Sequence, residues 1–314
     1  MTKPTLIALG GAHVDRRGKV AGRYIPGASN PGIMREEIGG GAFNALRNAV
    51  QRGVAGSIVS LRGGDTAGES VARAIEAAAI RDLSATFLDR ATASYTALIN
   101  SEGDVIAGLA DMALYELFPK QIMRRATRDA IQAADSVLAD ANLPAAALTR
   151  IASFAAGKPL FGIAISPAKV VRFNDVLPAL SILFMNRREA AMLCEAPADL
   201  SSLELVDKLR KKGLRGGVIT AGSAGIVAFL SGCTVSLQPP PLPGTSDATG
   251  AGDALAGSTI AAMMRGLPLP EALREGAAAA AATVTEQTAV ALLGQERFRE
   301  ILADVPECET IGQV

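Results

Sequence analysis

The sequence predicts an α/β fold: a mostly parallel sheet covered by helices on both faces, with a small separate set of β-strands as a lid. Short apolar runs alternate with longer helix-period segments along the 314 residues, a pattern typical of such three-layer sandwiches. Two segments break this alternation with polar, strand-period patterns. Because no linker rich in Pro, Gly or Ser divides the chain, we expect one domain over residues 1–314.

The predicted strands of the main sheet are short and mainly aliphatic. They are Thr5–Leu9, Ser57–Leu61, Ser136–Ala139, Leu160–Ile165, Ile182–Met185 and Gly217–Thr220. The predicted helices carry apolar residues at helical spacing. They are Ala42–Arg52, Gly68–Ala79, Lys120–Ala134, Arg187–Leu193, Ser202–Lys212 and Ala251–Arg265.

The two exceptional segments are Lys19–Glu37 and Tyr95–Ala107, the second with an Asn100-Ser-Glu-Gly turn. If they pack together, they form a lid, with segments near 15–38 and 93–110, over the carboxyl edge of the sheet. Open α/β folds bind ligands at that edge. Ordinary surface hairpins are the alternative interpretation.

Composition excludes several classes of function. Thirty-one basic residues balance thirty-one acidic ones, so no net positive field attracts nucleic acid or an anionic membrane. An anionic ligand must therefore be bound by a local site and not by the overall charge of the protein. The longest alanine-rich stretch, Gly276–Val284, is flanked by charged residues, which favours a buried helix over a membrane span.

The cysteines and the single histidine exclude further classes. Cys194, Cys233 and Cys308 are far apart and form no metal-binding motif, which argues against a disulfide framework or a zinc site and favours a cytoplasmic protein with reduced thiols. His13 is the only histidine, so a Ser/His/Asp triad would have to be built around it.

The most informative stretch is Ser246-Asp-Ala-Thr-Gly-Ala-Gly-Asp-Ala-Leu-Ala-Gly, a small-residue turn that leads into a helix. Gly250 and Gly252 let the backbone amides turn toward one point, and the helix dipole adds partial positive charge there. Such an anion hole suits a phosphoryl group in transfer. Asp253 beside it can accept the proton of an attacking hydroxyl. A glycine-rich helix start without a ligand is the alternative.

A second glycine-rich helix start, Glu37-Ile-Gly-Gly-Gly-Ala-Phe-Asn, carries Gly39, Gly40 and Asn44. Bare backbone permits close approach of a hydroxylated ligand, and an asparagine amide both donates and accepts hydrogen bonds. Asp15 follows the first strand and is expected at the carboxyl end of a central strand, where it could bind two sugar hydroxyls or cap a turn.

Asn186 and Glu189 follow the strand that ends at Met185 and lie one helical turn apart. The pair could hold the water shell of Mg²⁺ beside phosphates, since that ion keeps several waters. An N-cap in an exposed first turn is the competing explanation. GxxxxGK[ST] is absent from the sequence, which excludes a Walker-type phosphate loop, and the dinucleotide-binding fingerprint is incomplete after Gly10-Gly11.

Four motifs in this order and spacing resemble those of PfkB-type carbohydrate kinases, which have the ribokinase-like fold. They are Gly39-Gly40 with Asn44, Asn186-x-x-Glu189, Thr220-Ala-Gly222-Ser-Ala-Gly225 and Asp247-Ala-Thr-Gly-Ala-Gly-Asp253. The resemblance covers essentially the whole chain. Within the family, further stretches are similar to pseudouridine kinases: Gly10-Gly-Ala-His-Val-Asp15, Ser29-Asn-Pro-Gly32, Ala93-Ser-Tyr-Thr-Ala, Ala110-Asp-Met112 and Val137-Leu-Ala-Asp-Ala-Asn142.

The resemblance implies transfer of the γ-phosphate of ATP to the 5′-hydroxyl of pseudouridine. It also implies that the ribose is bound by Asp15, Gly39, Gly40 and Asn44. Asp253 would be the base, and the phosphate would be bound by Gly250, Ala251 and Gly252. Asn186 and Glu189 organise Mg²⁺ through water, and Thr220, Gly222 and Gly225 line the nucleotide side. Asn30, Thr96 and Met112 face the base from the lid. Asp247 matches the family's position near a monovalent cation, K⁺, and a homodimer through the lid is expected.

The sequence departs from the resembled pattern in two places. Gly162-Ile-Ala-Ile-Ser-Pro stands where an Asp-Pro pair is usual, so an acid near Ile163 is missing, and Ala42-Phe43 replaces a small residue followed by Arg. Either change could alter the preferred substrate. A kinase for another nucleoside, ribose or a sugar phosphate therefore stays open, with Arg16, Arg17 or Arg23 as the cation that a sugar phosphate would need. A non-catalytic nucleoside-binding protein is the rival from another class.

Overall fold

The structure is a computed structural model that describes residues 2–100, 102, 104–240, 249–286 and 289–313. Its strands are β1 Thr5–Leu9, β2 His13–Val20, β3 Gly32–Gly39, β4 Ala55–Val59, β5 Leu61–Gly63, β6 Arg81–Asp82, β7 Ala85–Phe87, β8 Ser94–Ile99, β9 Val105–Asp111, β10 Ser136–Asp140, β11 Leu160–Ile163, β12 Ile182–Asn186, β13 Gly216–Thr220, β14 Ile226–Leu230, β15 Cys233–Leu237 and β16 Glu309–Gln313.

The helices alternate with these strands. They are α1 Gly41–Gln51, α2 Thr66–Ala77, α3 Phe118–Ile122, α4 Arg125–Ala133, α5 Ala145–Phe154, α6 Pro167–Val170, α7 Arg187–Leu193, α8 Ser202–Lys211, α9 Ala251–Met264, α10 Leu269–Glu286 and α11 Gln295–Ala303. Short 3₁₀ helices cover Ala113–Leu117, Val171–Ala179 and Gly222–Ala224. No helix among the described residues has the length and apolar character needed to span a bilayer.

Within the described residues, the central sheet has ten strands in the order β16-β15-β14-β13-β12-β11-β10-β1-β4-β6. The strands from β13 to β6 pair in parallel, and β14, β15 and β16 extend the sheet in antiparallel fashion. The carboxyl ends of the parallel strands therefore lie along one edge, where ligands bind in open α/β sheets.

Two apolar cores, one on each face of the sheet, confirm the predicted three-layer sandwich. Leu6 and Ala8 point into the core that holds α1, α9 and α10, whereas Ile7 and Leu9 point into the core that holds α3, α5 and α8. All four side chains are buried. This period-2 alternation in a continuously apolar strand is what a sheet covered on both faces requires.

Helix α9 is buried on nearly all sides between α1 and α10. A side chain at Gly257 would collide with the backbone carbonyl of Ala45 in α1, and one at Gly276 would collide with Thr259. These glycines allow the helices to approach closely. The close approach brings the first turn of α9 beside the first turn of α1, and this pairing builds the candidate site.

The four lid strands form the separate sheet that the sequence predicts, in the order β3-β2-β8-β9. Strand β2 pairs antiparallel with β3 and parallel with β8. The lid begins earlier than predicted, at His13, because the chain turns into it four residues after β1 ends. The expectation for Asp15 is accordingly corrected: it lies within a lid strand and not at the carboxyl end of a central strand.

Two predicted elements are divided in the structure. The helix predicted over Lys120–Ala134 is two helices, because Arg124 has an extended backbone between them. The strand predicted over Ser57–Leu61 ends at Val59 and resumes in β5, because Ser60 leaves the ladder. The Ser60 amide donates to Ser84 Oγ, 3.0 Å away, and its own Oγ accepts from the Ala12 amide.

Candidate active site

Gly39 and Gly40 join the lid strand β3 to helix α1. Gly40 has φ 110°, and a Cβ on it would collide with the carbonyl oxygen of Gly11. A Cβ on Gly39 would collide with Oδ2 of Asp15. The bare backbone is thus occupied by protein: it lets the β1–β2 connection and Asp15 pack against the start of α1. Contact of these two glycines with the ribose stays a prediction.

Asp15 is held at this junction by the single histidine. His13 Nε2 lies 3.3 Å from Asp15 Oδ1, and His13 Nδ1 lies 3.1 Å from the Tyr115 hydroxyl. Tyr115 also bonds to the backbone of Ala12, and burial raises the pKa of its hydroxyl. His13 is buried, so it orients Asp15 from within the protein.

Asp253 lies in the first turn of α9 and meets Asn44 of α1. Asn44 Nδ2 donates to Asp253 Oδ2 over 3.0 Å. The pKa of Asp253 is raised to about 7: burial is the largest cause, the carboxylates of Asp140 and Asp15 add to it, and Asn44 and Arg47 oppose it. A carboxylate that titrates near neutral pH is matched to general-base work.

The predicted anion hole lies at the start of α9, and its contact with a phosphate stays a prediction. Gly250 adopts the left-handed conformation, φ 82°, and a Cβ there would collide with the Ala289 carbonyl. Because Gly250 is the N-cap, the amides of the first turn have no side-chain cap within the described residues. A Cβ on the exposed Gly252 would meet nothing within 4 Å. Asp247, predicted near K⁺, lies outside the described residues.

Asn186 and Glu189 form a capping box at the start of α7, which is the competing explanation that the sequence left open. Glu189 N donates to Asn186 Oδ1 over 2.9 Å, and Asn186 N donates to Glu189 Oε2 over 2.7 Å. Burial raises the pKa of Glu189. No cluster of three metal-binding side chains occurs in the described ranges. A water-mediated contact of this pair with Mg²⁺ stays a prediction.

The predicted nucleotide-side residues follow β13, beside the capping box. Thr220 pairs with Asn186 across β12 and β13. Gly222 and Gly225 have φ 59° and 107°, and Ala221 N bonds to Gly225 O over 2.9 Å to close a tight loop. A Cβ on Gly222 would meet nothing within 4 Å. The loop thus presents open backbone at the same sheet edge.

The lid residues predicted to face the base occupy different places. Asn30 braces its own turn: Ile25 N donates to its Oδ1, and its Nδ2 donates to the carbonyls of Ile25 and Ala28. Thr96 pairs with Arg16, whereas its neighbour Tyr95 pairs with Asp15 and so shares the face of Asp15.

The third of these residues, Met112, follows β9 and packs partly against the core. The structure brings together Asp15, Gly39, Asn44 and Asp253, and it does not bring the three lid residues into that cluster. Their contacts with a base stay predictions.

Sequence reasoning missed Asp140, a fully buried acid at the end of β10. It accepts hydrogen bonds from the amides of Gly11, Ala42 and Asn142 and from the side chain of Asn142. A Cβ built on Gly41 would lie 3.5 Å from both Asp140 Oδ2 and Asp253 Oδ1, so the two acids flank the start of α1. An acid directly after an apolar strand was the available signal.

Two cations and a strained residue were also missed. Arg47 Nη2 donates to Asn44 Oδ1 over 2.6 Å, and Lys169 Nζ donates to Asn142 Oδ1 over 2.6 Å. Ile165 has φ 68°, which is rare for a β-branched residue, and its Cδ1 fills the space beside Gly41. An apolar side chain therefore borders the start of α1 in the segment where the sequence lacks the usual acid.

Comparison with known proteins adds to this geometry. A carbohydrate kinase from Agrobacterium tumefaciens superposes with a TM-score of 0.86 over 98% of this chain and 100% of its own, at 45% identity. The pseudouridine kinase of Escherichia coli (strain K12) is 26% identical over 287 residues, which is 87% of this chain and 88% of that protein.

A ribokinase from Arabidopsis thaliana, solved with ribose and ATP, shares the fold with a TM-score of 0.83 at 22% identity, over 96% of this chain and 99% of its own. The family model described as pfkB family carbohydrate kinase matches residues 3–293. With that match over most of its length, and with the predicted fold in place, the chain belongs to the PfkB family of carbohydrate kinases.

Proposed function

We propose that this PfkB-family kinase transfers the γ-phosphate of ATP to the 5′-hydroxyl of pseudouridine and releases pseudouridine 5′-phosphate and ADP. The observation that carries the proposal is the contact between Asp253 and Asn44 at the start of α9, with Asp15 beside it. It supplies a base, hydroxyl-binding groups and phosphate-facing amides at one point. The 26% identity with a pseudouridine kinase over most of both chains supports the choice of acceptor.

In the proposed reaction, Asp15 and Asn44 bind the ribose hydroxyls and hold the 5′-oxygen toward Asp253. Asp253 takes the proton as that oxygen attacks the γ-phosphorus and the bond to the ADP oxygen breaks. The amides of Gly250, Ala251 and Gly252 stabilise the charge on the transferred group, because fixed dipoles need no reorganisation. Mg²⁺, held through water by Asn186 and Glu189, would neutralise charge on the phosphates.

Thr220, Gly222 and Gly225 form the nucleotide side in this proposal. The Arabidopsis ribokinase of the same fold was solved with ribose and ATP, which supports ATP as the donor. Asp247 is proposed near a monovalent cation. Replacing K⁺ by choline in the assay buffer measures that part separately, and equal turnover in both buffers would remove the K⁺ proposal.

If the lid carries Asn30 to the base, as proposed, its hydrogen-bonding pattern favours a C-linked base. Both of its amide hydrogens are donated to loop carbonyls, and its Oδ1 accepts one amide. An amide oxygen has two lone pairs, so a further contact by Asn30 as it stands accepts a hydrogen. Pseudouridine has one more ring N–H than uridine, because its sugar is attached through carbon. An acceptor at the lid therefore favours pseudouridine.

A sugar phosphate is the second acceptor class, and the arginine that could serve it at Arg16 is already paired. Arg16 Nε donates to Glu36 Oε2 over 2.9 Å. Arg23 is exposed on the turn between β2 and β3. The pairing of Arg16 lowers the positive charge that a second phosphate would meet, and it favours an uncharged acceptor.

The test is ADP formation with a panel of acceptors: pseudouridine, uridine, adenosine, ribose and fructose phosphates. We expect pseudouridine to give the highest kcat/KM, about tenfold or more above uridine, which is what one lost buried hydrogen bond costs. A sugar phosphate as the best acceptor would refute the narrower proposal. ADP formation that no acceptor stimulates would favour the non-catalytic binding protein.

The exposed apolar side chains of the lid support a homodimer. Ile33 on β3 and Leu109 on β9 are each 71% exposed, and a partner subunit that covered them would remove apolar surface from water. We expect light scattering to give twice the mass of the chain, and a monomer at micromolar concentration would refute this. The three free cysteines support a reducing, cytoplasmic location.

A further inference from the structure

Arg47 occupies the helical turn of α1 that follows Asn44, and it joins the lid to the proposed base. Its Nη2 donates to Asn44 Oδ1 over 2.6 Å and to the carbonyl of Ile38, the penultimate residue of lid strand β3, over 3.3 Å. Asn44 in turn donates to Asp253. The three side chains thus form a line from guanidinium to amide to carboxylate.

This line has one permitted direction. A guanidinium can only donate hydrogen bonds, and an ionised carboxylate can only accept them. The Asn44 amide satisfies both neighbours only when its oxygen faces Arg47 and its nitrogen faces Asp253. Without Arg47 only the ionised carboxylate holds the amide in this orientation, and protonation of Asp253, which makes that group a donor, would let the amide turn over.

The positive charge of Arg47 also favours the ionised form of Asp253. Two carboxylates face Asp253 from other elements, Asp15 from β2 and Asp140 from β10, and both favour its protonated form. Arg47 opposes them and also faces Asp15 and Glu37. Burial lowers the pKa of Arg47 to about 10, so it remains charged at neutral pH.

Arg47 is not placed as stability alone would place it. Its guanidinium lies over the Phe43 ring, 4.6 Å from the centroid. Its Nε is buried without a hydrogen-bond partner within the described residues, and a buried unpaired donor destabilises the fold.

We propose that Arg47 is a positioning residue: it fixes the Asn44 amide with its nitrogen toward Asp253 and thereby keeps that carboxylate ionised and aimed for proton abstraction. The inference rests on the proposed role of Asp253 as the base. It assigns a function to a side chain outside the motifs that the family resemblance identified.

The test compares the pH dependence of kcat in Arg47→Met, Arg47→Lys and Arg52→Met. Loss of the cation raises the pKa of Asp253. We therefore expect the acidic limb of the pH profile of kcat to move to higher pH by about one unit in Arg47→Met. A one-unit shift means about tenfold less activity on that limb. Activity well above the limb falls much less. Arg47→Lys keeps the charge and restores most of the limb.

Arg52→Met is the matched control. Arg52 also lies on a phenyl ring, 3.8 Å from the centroid of Phe298, and bonds to the Leu293 carbonyl at the far end of α1. We expect this variant to lose stability but to keep the wild-type limb. An Arg47→Met enzyme whose activity falls equally at every pH would overturn the proposal, and so would an Arg52→Met enzyme with the same limb shift.

A second readout separates this inference from the proposed function. The ¹³C carboxyl resonance of Asp253, assigned by its absence in Asp253→Asn, reports the ionisation of that group without turnover. We expect its midpoint to rise in Arg47→Met relative to the wild type. If no acceptor is phosphorylated, the proposed function fails and this titration still decides the role of Arg47. An unchanged midpoint refutes that role.

Discussion

Two aspartates near the carboxyl edge of the sheet each accept a hydrogen bond from an asparagine that is itself bonded to a cation. They differ in the backbone amides that they accept. Arg47 reaches Asp253 through Asn44, and Lys169 reaches Asp140 through Asn142. Within the described residues, Asp253 accepts one side-chain hydrogen bond, whereas Asp140 also accepts three backbone amides, among them those of Gly11 and Ala42.

The difference in backbone contacts separates an acid kept for chemistry from an acid built into the fold. Asp140 is fully buried, and it fastens the end of β1 to the start of α1. Asp253 is partly exposed, and it accepts no backbone amide within the described residues. Satisfied acceptors stabilise a structure, and unsatisfied ones are available to a substrate.

The strongest way to break this comparison is Asp253→Asn. Asparagine keeps the shape but cannot take a proton, so we expect kcat to fall on the order of 10³-fold, within the range for lost general-base catalysis. Nucleoside binding, measured by calorimetry, stays near that of the wild type. Turnover within a few-fold of the wild type would exclude Asp253 as the base.

Asp140→Asn tests the structural role of the second aspartate. Its amide nitrogen would face backbone N–H groups that now donate to a carboxylate, and we expect a loss of about 2–4 kcal/mol in the free energy of unfolding. Urea denaturation measures it. Asp135→Asn is the control, because Asp135 bonds to Thr5 at an exposed site and should cost about 1 kcal/mol or less. Equal losses in the two variants would contradict the structural role.

The pH dependence of stability sharpens the contrast. The folded protein raises the pKa of Asp253 to about 7, above its value in the unfolded chain, so ionisation of Asp253 opposes folding. That penalty is absent below about pH 4 and complete above about pH 7. We expect Asp253→Asn to be more stable than the wild type by on the order of 2 kcal/mol at pH 8. The gain should disappear at pH 4, and a gain independent of pH would contradict the assignment.

The smallest expected effect is that of Lys169→Met. Burial lowers the pKa of Lys169, but its amide partner Asn142 stays fixed by Asp140. We expect a loss of about 1 kcal/mol in unfolding free energy and no movement of the acidic limb of kcat. A limb shift as large as that of Arg47→Met would show that the two cation–amide pairs are not separate.

The fold was largely predictable because its signals are local. Buried strands such as Thr5–Leu9 and helices such as Arg187–Leu193 agree with prediction at both ends, since apolar period and flanking polar residues define them. The division of the helix predicted over Lys120–Ala134 was not predictable, because no Pro or Gly stands at Arg124, where the backbone is extended.

The candidate site was predictable where a motif carries its own backbone geometry, as at Gly250 and Gly40. Asp140 and Lys169 depend on contacts between separated segments, such as Gly11 and Asp140, which are 129 positions apart, and Arg47 acts through the long-range contact of Asn44 with Asp253. Spacing in the chain does not report such contacts. The face of each lid strand also required the register, which placed Tyr95 and not Thr96 beside Asp15.

The covalent continuity from β3 through Gly39 and Gly40 into α1 has a consequence for redesign. Asn44 lies only four residues beyond Gly40, so we expect substitutions that reshape the rim of the lid on this strand to shift Asn44 as well. The β8–β9 hairpin reaches the core by another route. Variants selected for new acceptors should therefore be randomised in that hairpin, where recognition can change while the reaction rate is preserved.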